Sequence, residues 1–107
     1  MNRPNLKNET IKRVYGDYLR NADGKSEATI RQIEKAIDRF EQFIGRKDFG
    51  TFDQRQAVGF KEELVAKDIA KDTILSTVNV LKRFFGWLAC QPGYRSRIRR
   101  ADIDYFS

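Results

Sequence analysis

Apolar residues recur at the spacing of an amphipathic helix in four separate segments of the chain. The predicted helices span residues 10–21, 27–45, 53–66 and 72–90, and no segment shows the strict alternation of a half-buried strand. The clearest stripe belongs to the second helix and consists of Ile30, Ile33, Ile37, Phe40 and Ile44. Four helices joined by short connections predict an all-α domain that folds as a compact bundle.

Residues at the helix ends support these boundaries. Asn8, Ser26 and Asp72 are predicted N-caps, and Thr51 with Gln54 three residues later fits a capping box. The third helix is the weakest prediction, because Gly59 lowers helix stability by up to about 1 kcal/mol relative to alanine. The buried face of the first helix is predicted to consist of Ile11, Val14, Tyr15, Tyr18 and Leu19.

Composition narrows the function classes. The chain has 107 residues, which fits one domain, and it contains no histidine and a single cysteine. A Cys/His zinc site and histidine-based catalysis are therefore excluded, and we expect no metal, no cofactor and no catalytic residue. No apolar run is long enough to cross a bilayer, and the first residues have no signal-peptide core. A cytoplasmic protein without a membrane partner is the expectation.

Positive charge is concentrated on one side of the second predicted helix. Lysine and arginine exceed aspartate and glutamate by 21 to 15 over the whole chain. On a helical wheel the cationic residues Arg31, Lys35, Arg39 and Arg46 align, whereas the acidic residues of this helix lie along one flank. Like charges four residues apart weaken an isolated helix, so this row favours a polyanionic partner over a merely solvated face.

The fourth predicted helix changes character along its length. Large apolar side chains fill its second half, which we expect to be anchored in the core. Its first turns carry small polar or basic side chains, namely Lys71, Thr73, Ser76 and Thr77. Two interpretations stand at this point: these residues contact DNA phosphates, or they are capping and surface residues only.

Both ends of the chain differ from its middle. Residues 1–9 are predicted to be an N-terminal extension, and residues 10–91 the four-helix domain. Four arginines follow Pro92 within a short stretch, so residues 92–107 are predicted to be an arginine-rich linker toward a further domain.

Three segments together resemble a known family. They are SEATIRQIEKAIDRFEQFIG (residues 26–45), TFDQRQAVGFKEEL (51–64) and AKDTILSTVNVLKRFFGWL (70–88). Their order and spacing are similar to the N-terminal, SAM-like core-binding domain of phage integrases, which are tyrosine recombinases. The resemblance implies a four-helix orthogonal bundle that binds one face of the recombination core site, while a catalytic domain of the same parent chain binds the other.

The resemblance also implies which residues approach double-stranded DNA. In this family the second and fourth helices face the major groove and its phosphates, and the tail crosses the backbone. Carried onto this chain, the DNA-binding residues would be Ser26, Thr29, Arg31, Gln32, Lys35, Arg39, Lys71, Thr73, Ser76, Thr77, Lys82, Arg97 and Arg99. The first helix often contributes to contacts with other recombinase protomers on DNA.

Catalysis is not expected of this chain. The family chemistry needs a tyrosine nucleophile with arginine and histidine-type partners, and Tyr105 has no such cluster around it in the sequence. The resemblance therefore implies a non-catalytic DNA-binding domain that acts in DNA integration and site-specific recombination. Two alternatives stay open, a helical protein–protein interaction module and a helix-turn-helix-like DNA-binding regulator.

Overall fold

The computed structural model describes residues 4–106, and within them every regular element is helical. The α-helices are α1 (Leu6–Asn21), α2 (Glu27–Phe43), α3 (Gln54–Ala66), α4 (Lys71–Leu88) and α5 (Arg100–Ile103), with 3₁₀ turns at Phe49–Thr51 and Asp104–Phe106. The all-α prediction is confirmed. The count of four helices is not confirmed, because α5 lies in the segment that was predicted to be a linker. The orthogonal arrangement stays a prediction.

The chain divides into two compact units, Met1–Phe49 and Gly50–Ser107. In the first unit α1 packs against α2, and the apolar stripe of α2 is buried as predicted at Ile30, Ile37 and Phe40. On α1 the buried large apolar side chains are Tyr15 and Leu19. The helix pair thus has the expected core.

Two residues predicted to be buried on α1 are not. Val14 and Tyr18 remain 42% and 43% exposed. They lie four residues apart on the flank of the helix, so the stripe that faces α2 is narrower than the sequence pattern indicates. Tyr18 stacks on Tyr15 with 6.1 Å between the ring centroids.

The start of α1 also differs from the prediction. The N-cap is Asn5, whose side chain accepts a hydrogen bond from the Asn8 backbone N–H, so Asn8 lies in the first turn. Its side chain is fully buried and donates to a carboxylate oxygen of Glu41 at 3.0 Å and to the Lys47 carbonyl at 2.8 Å. Its own oxygen accepts from the Phe49 N–H at 3.0 Å. Asn8 therefore joins α1 to the end of α2 and the connection that follows.

The second unit has an aromatic core to which the C-terminal segment contributes. The rings of Phe52 and Phe85 stack with 4.1 Å between centroids, and Phe106 stacks on Phe52 at 5.3 Å. Both α5 and the last 3₁₀ turn contact α3 and α4. The residues buried after Pro92 are Tyr94, Ile98, Asp102, Ile103 and Phe106. Much of the segment predicted to be a linker is therefore part of this core.

The N-caps of the other helices agree with the prediction only at α2. The side chain of Ser26 accepts from the Thr29 N–H, as expected. α3 is capped by Asp53 instead of Thr51, whose hydroxyl accepts from the Gln56 side chain. α4 begins after Ala70, which has no side chain that could accept a hydrogen bond. Asp72 therefore lies in the first turn of α4, where its negative charge interacts favourably with the positive end of the helix dipole.

Candidate nucleic-acid interface

The acidic side chains of α2 pair with basic residues of the first unit. Glu27 lies 2.7 Å from Arg20, and Asp38 lies 2.8 Å from Lys12. Glu41 is completely buried and lies 2.8 Å from the same Lys12 ammonium. Three of the four carboxylates of α2 are therefore paired with basic residues within the unit.

The electrostatics of these pairs are consistent with their geometry. The hydrogen bond from the Arg20 guanidinium holds the pKa of Glu27 below its ordinary value, and Arg31 adds a weaker attraction. Burial by itself lowers the pKa of Lys12, but hydrogen bonds to Asp38, Glu41 and Glu9 outweigh it and raise that pKa above its ordinary value. Both basic partners on α1 thus stay charged at neutral pH.

The basic side chains on the far side of α2 have no such partners. Arg31, Lys35 and Arg39 are all exposed, and none of them forms an ion pair with any residue between 4 and 106. They follow one another at i and i+4 along a single face. We call Arg31, Lys35 and Arg39 the α2 cation row.

Polar residues of α2 lie at the start of this row. Ser26, Thr29 and Gln32 are exposed. The Ser26 hydroxyl caps the helix by accepting from the Thr29 N–H at 3.2 Å, and it donates to the Thr29 hydroxyl at 3.0 Å. The cap and the cation row therefore share the accessible surface of α2.

On α4 the predicted site residues differ in exposure. Lys71, Thr73, Ser76 and Lys82 are exposed. Thr77 is only 7% exposed, because it precedes the buried Leu81 by four residues and thus lies on the packed side of the helix. The structure therefore separates Thr77 from the accessible residues with which the sequence grouped it.

The two arginines predicted in the tail also have different surroundings. The Arg97 guanidinium lies 5.9 Å from the centroid of the Tyr94 ring and rests so close to Gly50 that a Cβ there would overlap it. The Arg99 side chain is 77% exposed, with Asp102 at 3.9 Å. Arg97 is thus engaged within the second unit, whereas Arg99 projects into solvent.

Other kinds of site find little support in the described residues. A polar groove of about 310 Å³ between α1 and α2 is lined by Lys12, Arg20 and several carboxylates, among them Asp38. Across residues 4–106, acidic and cysteine side chains are nowhere grouped so that three could hold a metal ion. Over the same residues no helix is long and apolar enough to cross a membrane.

The sequence analysis did not identify the basic residues of α1 that pair with the acidic flank of α2. Lys12 and Arg20 were not singled out, although they neutralise the acidic flank of α2. They lie eight residues apart, which places them on one face of a helix, and that spacing was the available signal. The pairing itself depends on the packing of α1 against α2, which the sequence does not specify.

The fold and the charge distribution define a small helical domain whose α2 carries an unneutralised cation row. The family model described as phage integrase, N-terminal SAM-like domain matches residues 11–91, and the chain belongs to this family. The family comprises the N-terminal domain of integrases and not their catalytic domain. Comparison with curated proteins and comparison with solved structures each gave no significant match.

Proposed function

We propose that this domain binds double-stranded DNA and positions a phage integrase on its recombination core site. The observation that carries the proposal is the α2 cation row, which is exposed and forms no ion pair with any described residue. Three of the four acids of α2, namely Glu27, Asp38 and Glu41, are held by Lys12 and Arg20. A row of free cations on one helix face matches the regular charge of a phosphate backbone.

The first turns of α4, in the second unit, offer a separate set of proposed DNA contacts. Lys71, Thr73 and Ser76 are exposed, and short hydroxyl side chains hydrogen-bond phosphate oxygens with little loss of side-chain entropy. Lys82 and Arg99 extend the proposed set, whereas Thr77 and Arg97 contribute to it only if they leave their present surroundings. Contact with phosphates predicts binding that depends on salt more than on sequence.

The parent protein is proposed to act in DNA integration and site-specific recombination. Its partners would be the core-site duplex, the catalytic domain of the same chain and further protomers on that duplex. This domain would supply positioning and no chemistry. Membership of the integrase family supports these proposals.

The proposal is tested by removing the α2 cation row without reversing its charge. The triple variant Arg31→Gln, Lys35→Gln, Arg39→Gln is titrated against a labelled, mixed-sequence duplex by fluorescence anisotropy between about 50 and 200 mM NaCl. The slope of log K against log salt is negative, and each lost phosphate contact reduces its magnitude by about 0.9. We therefore expect the magnitude of the slope to fall by roughly 2 to 3 in the triple variant. Circular dichroism checks that the helices are retained.

A matched control removes three charges elsewhere. Lys7, Arg55 and Lys67 are exposed and lie outside the cation row, so their joint replacement by glutamine changes net charge equally. We expect a small, general loss of affinity from this control. If both variants weaken binding equally, the α2 face is not the contact surface. If the unmodified chain shows no salt-dependent binding, the DNA-binding proposal is wrong, and the protein–protein interaction alternative is favoured.

A further inference from the structure

Gly86 is a glycine in the last turn of α4 for which the described residues supply no structural reason. Its φ is not positive, so the backbone there accepts any L-residue. A Cβ built on it would meet no heavy atom within 4 Å among residues 4–106. Glycine nevertheless favours the helical conformation less than alanine does. This contrasts with Gly50, where a Cβ would overlap the Arg97 guanidinium.

The surface around Gly86 is polar and basic. Asn79 and Arg83 precede it by seven and three residues, are exposed, and therefore share its face of α4. The exposed Cys90 follows one turn later, and its thiol donates to the Gly86 carbonyl at 3.6 Å. Beyond it, the guanidinium of Arg95 donates to the Cys90 carbonyl at 3.3 Å. Arg83 thus precedes the bare position within α4, and Arg95 follows it in the turn after the helix ends.

We infer that Gly86 is a close-approach point for the sugar–phosphate backbone of duplex DNA, with Arg83 and Arg95 binding the phosphates on either side. The inference rests on the proposed DNA binding and extends it to the second half of α4. An absent side chain lets a strand come nearer to the helix backbone, and arginine offers several donors in a fixed geometry. Arg95 retains free donors beyond the one given to Cys90. Neither Arg83 nor Arg95 forms an ion pair within residues 4–106.

The test is Gly86→Ala, because its effects on stability and on binding have opposite signs. An added methyl group enters open space and favours the helix, so we expect the melting temperature to rise by roughly 4 °C. The same methyl group holds a strand away from the helix, so we expect affinity for the mixed-sequence duplex to fall by roughly tenfold, the equivalent of one charge-assisted hydrogen bond. Both measurements use the complete 107-residue chain.

Two further variants make the result specific. Gly16→Ala is the same substitution in the interior of α1, where the new Cβ would have an ordinary contact of 3.9 Å with Glu34, and it should leave DNA affinity unchanged. Arg83→Gln should reduce the magnitude of the slope of log K against log salt by about 1, without changing the helix content.

Three outcomes overturn the inference. They are unchanged DNA affinity in Gly86→Ala, equal losses in Gly86→Ala and Gly16→Ala, and a lower melting temperature of Gly86→Ala, which would reveal an internal packing role. If the α2 cation-row variant loses binding while Gly86→Ala does not, only this inference is wrong. If the unmodified chain does not bind the duplex, the proposed function and this inference are both wrong.

Discussion

The ammonium of Lys12 on α1 lies 2.8 Å from a carboxylate oxygen of Glu41 on α2, and that carboxylate is completely buried. Glu41 also accepts from the Asn8 amide at 3.0 Å, and Arg46 lies 3.5 Å away. A buried carboxylate is tolerated only when its oxygens are paired and hydrogen-bonded. This contact therefore links the two helices and orients the acidic flank of α2 toward α1.

Removing the ammonium should cost more stability than removing the carboxylate. Lys12→Met leaves Glu41 buried with only Arg46 and Asn8, and we expect it to lower the free energy of unfolding by about 3 kcal/mol. Glu41→Gln leaves Lys12 with Glu9 and Asp38, so the expected loss is only about 1 to 2 kcal/mol. Urea unfolding followed by circular dichroism measures both. A larger loss for Glu41→Gln would show that the buried charge is not the dominant cost.

Alkaline pH should weaken the same contact. The pKa of Lys12 is higher in the folded chain than its ordinary value of 10.5, so its contribution is complete below that pH and is lost as pH rises toward the folded pKa. The difference in unfolding free energy between the natural chain and Lys12→Met should therefore shrink above pH 10.5. Parallel curves for the two proteins across this range would contradict the prediction.

Phe106 should contribute as much to the free energy of unfolding as a core residue from the middle of the chain. It is fully buried and stacks on Phe52 and Phe85, so Phe106→Ala should cost about 3 to 5 kcal/mol. The matched control is Tyr105→Ala, since Tyr105 is 45% exposed and its contact with Lys61 uses the backbone carbonyl. Thermal unfolding compares them. If the two variants lose equal stability, the C-terminal segment is not part of the core.

The α2 cation row should reduce stability in the absence of a partner. Lys35 has Arg31 and Arg39 four residues away on either side, so Lys35→Gln should stabilise the chain by about 0.5 kcal/mol at low salt while weakening DNA binding. The control Lys67→Gln removes an attraction to Glu63 at 3.9 Å and should not stabilise. Unfolding at two salt concentrations measures this, and a stabilisation that persists at high salt would exclude charge repulsion as its cause.

The sequence predicted the helices well because their apolar spacing is a local property. Ile30, Ile37 and Phe40 are buried as the pattern indicates, and Ser26 caps α2. Asn8 shows where local reasoning is insufficient. It is a residue type common at N-caps, yet it is buried in the first turn because Glu41 and two backbone groups offer it hydrogen bonds. Partners distant in sequence decided its role.

The largest difference between prediction and structure concerns residues 92–107, which were predicted to be a linker. Apolar residues in this segment were visible in the sequence. Tyr94, Ile98 and Phe106 are buried, but arginines between them interrupt the apolar pattern and made the segment resemble a linker. Thr77 shows the converse at the candidate site. It was grouped with exposed polar residues by residue type, while its position four residues before Leu81 places it on the packed side of α4. For Thr77, position on the helix was a better guide than residue type.

Because most carboxylates of α2 are paired with α1 on one flank and its free cations lie on the other, net positive charge in this unit is concentrated on one side. A polyanion approaching from solution exerts a torque on such an uneven charge distribution and turns the cationic side toward itself before any atoms touch. Encounters would then start in a productive orientation, which raises the association rate constant more than it lengthens the lifetime of the complex. Dissolved ions would reduce that advantage first, since they screen forces beyond about 10 Å.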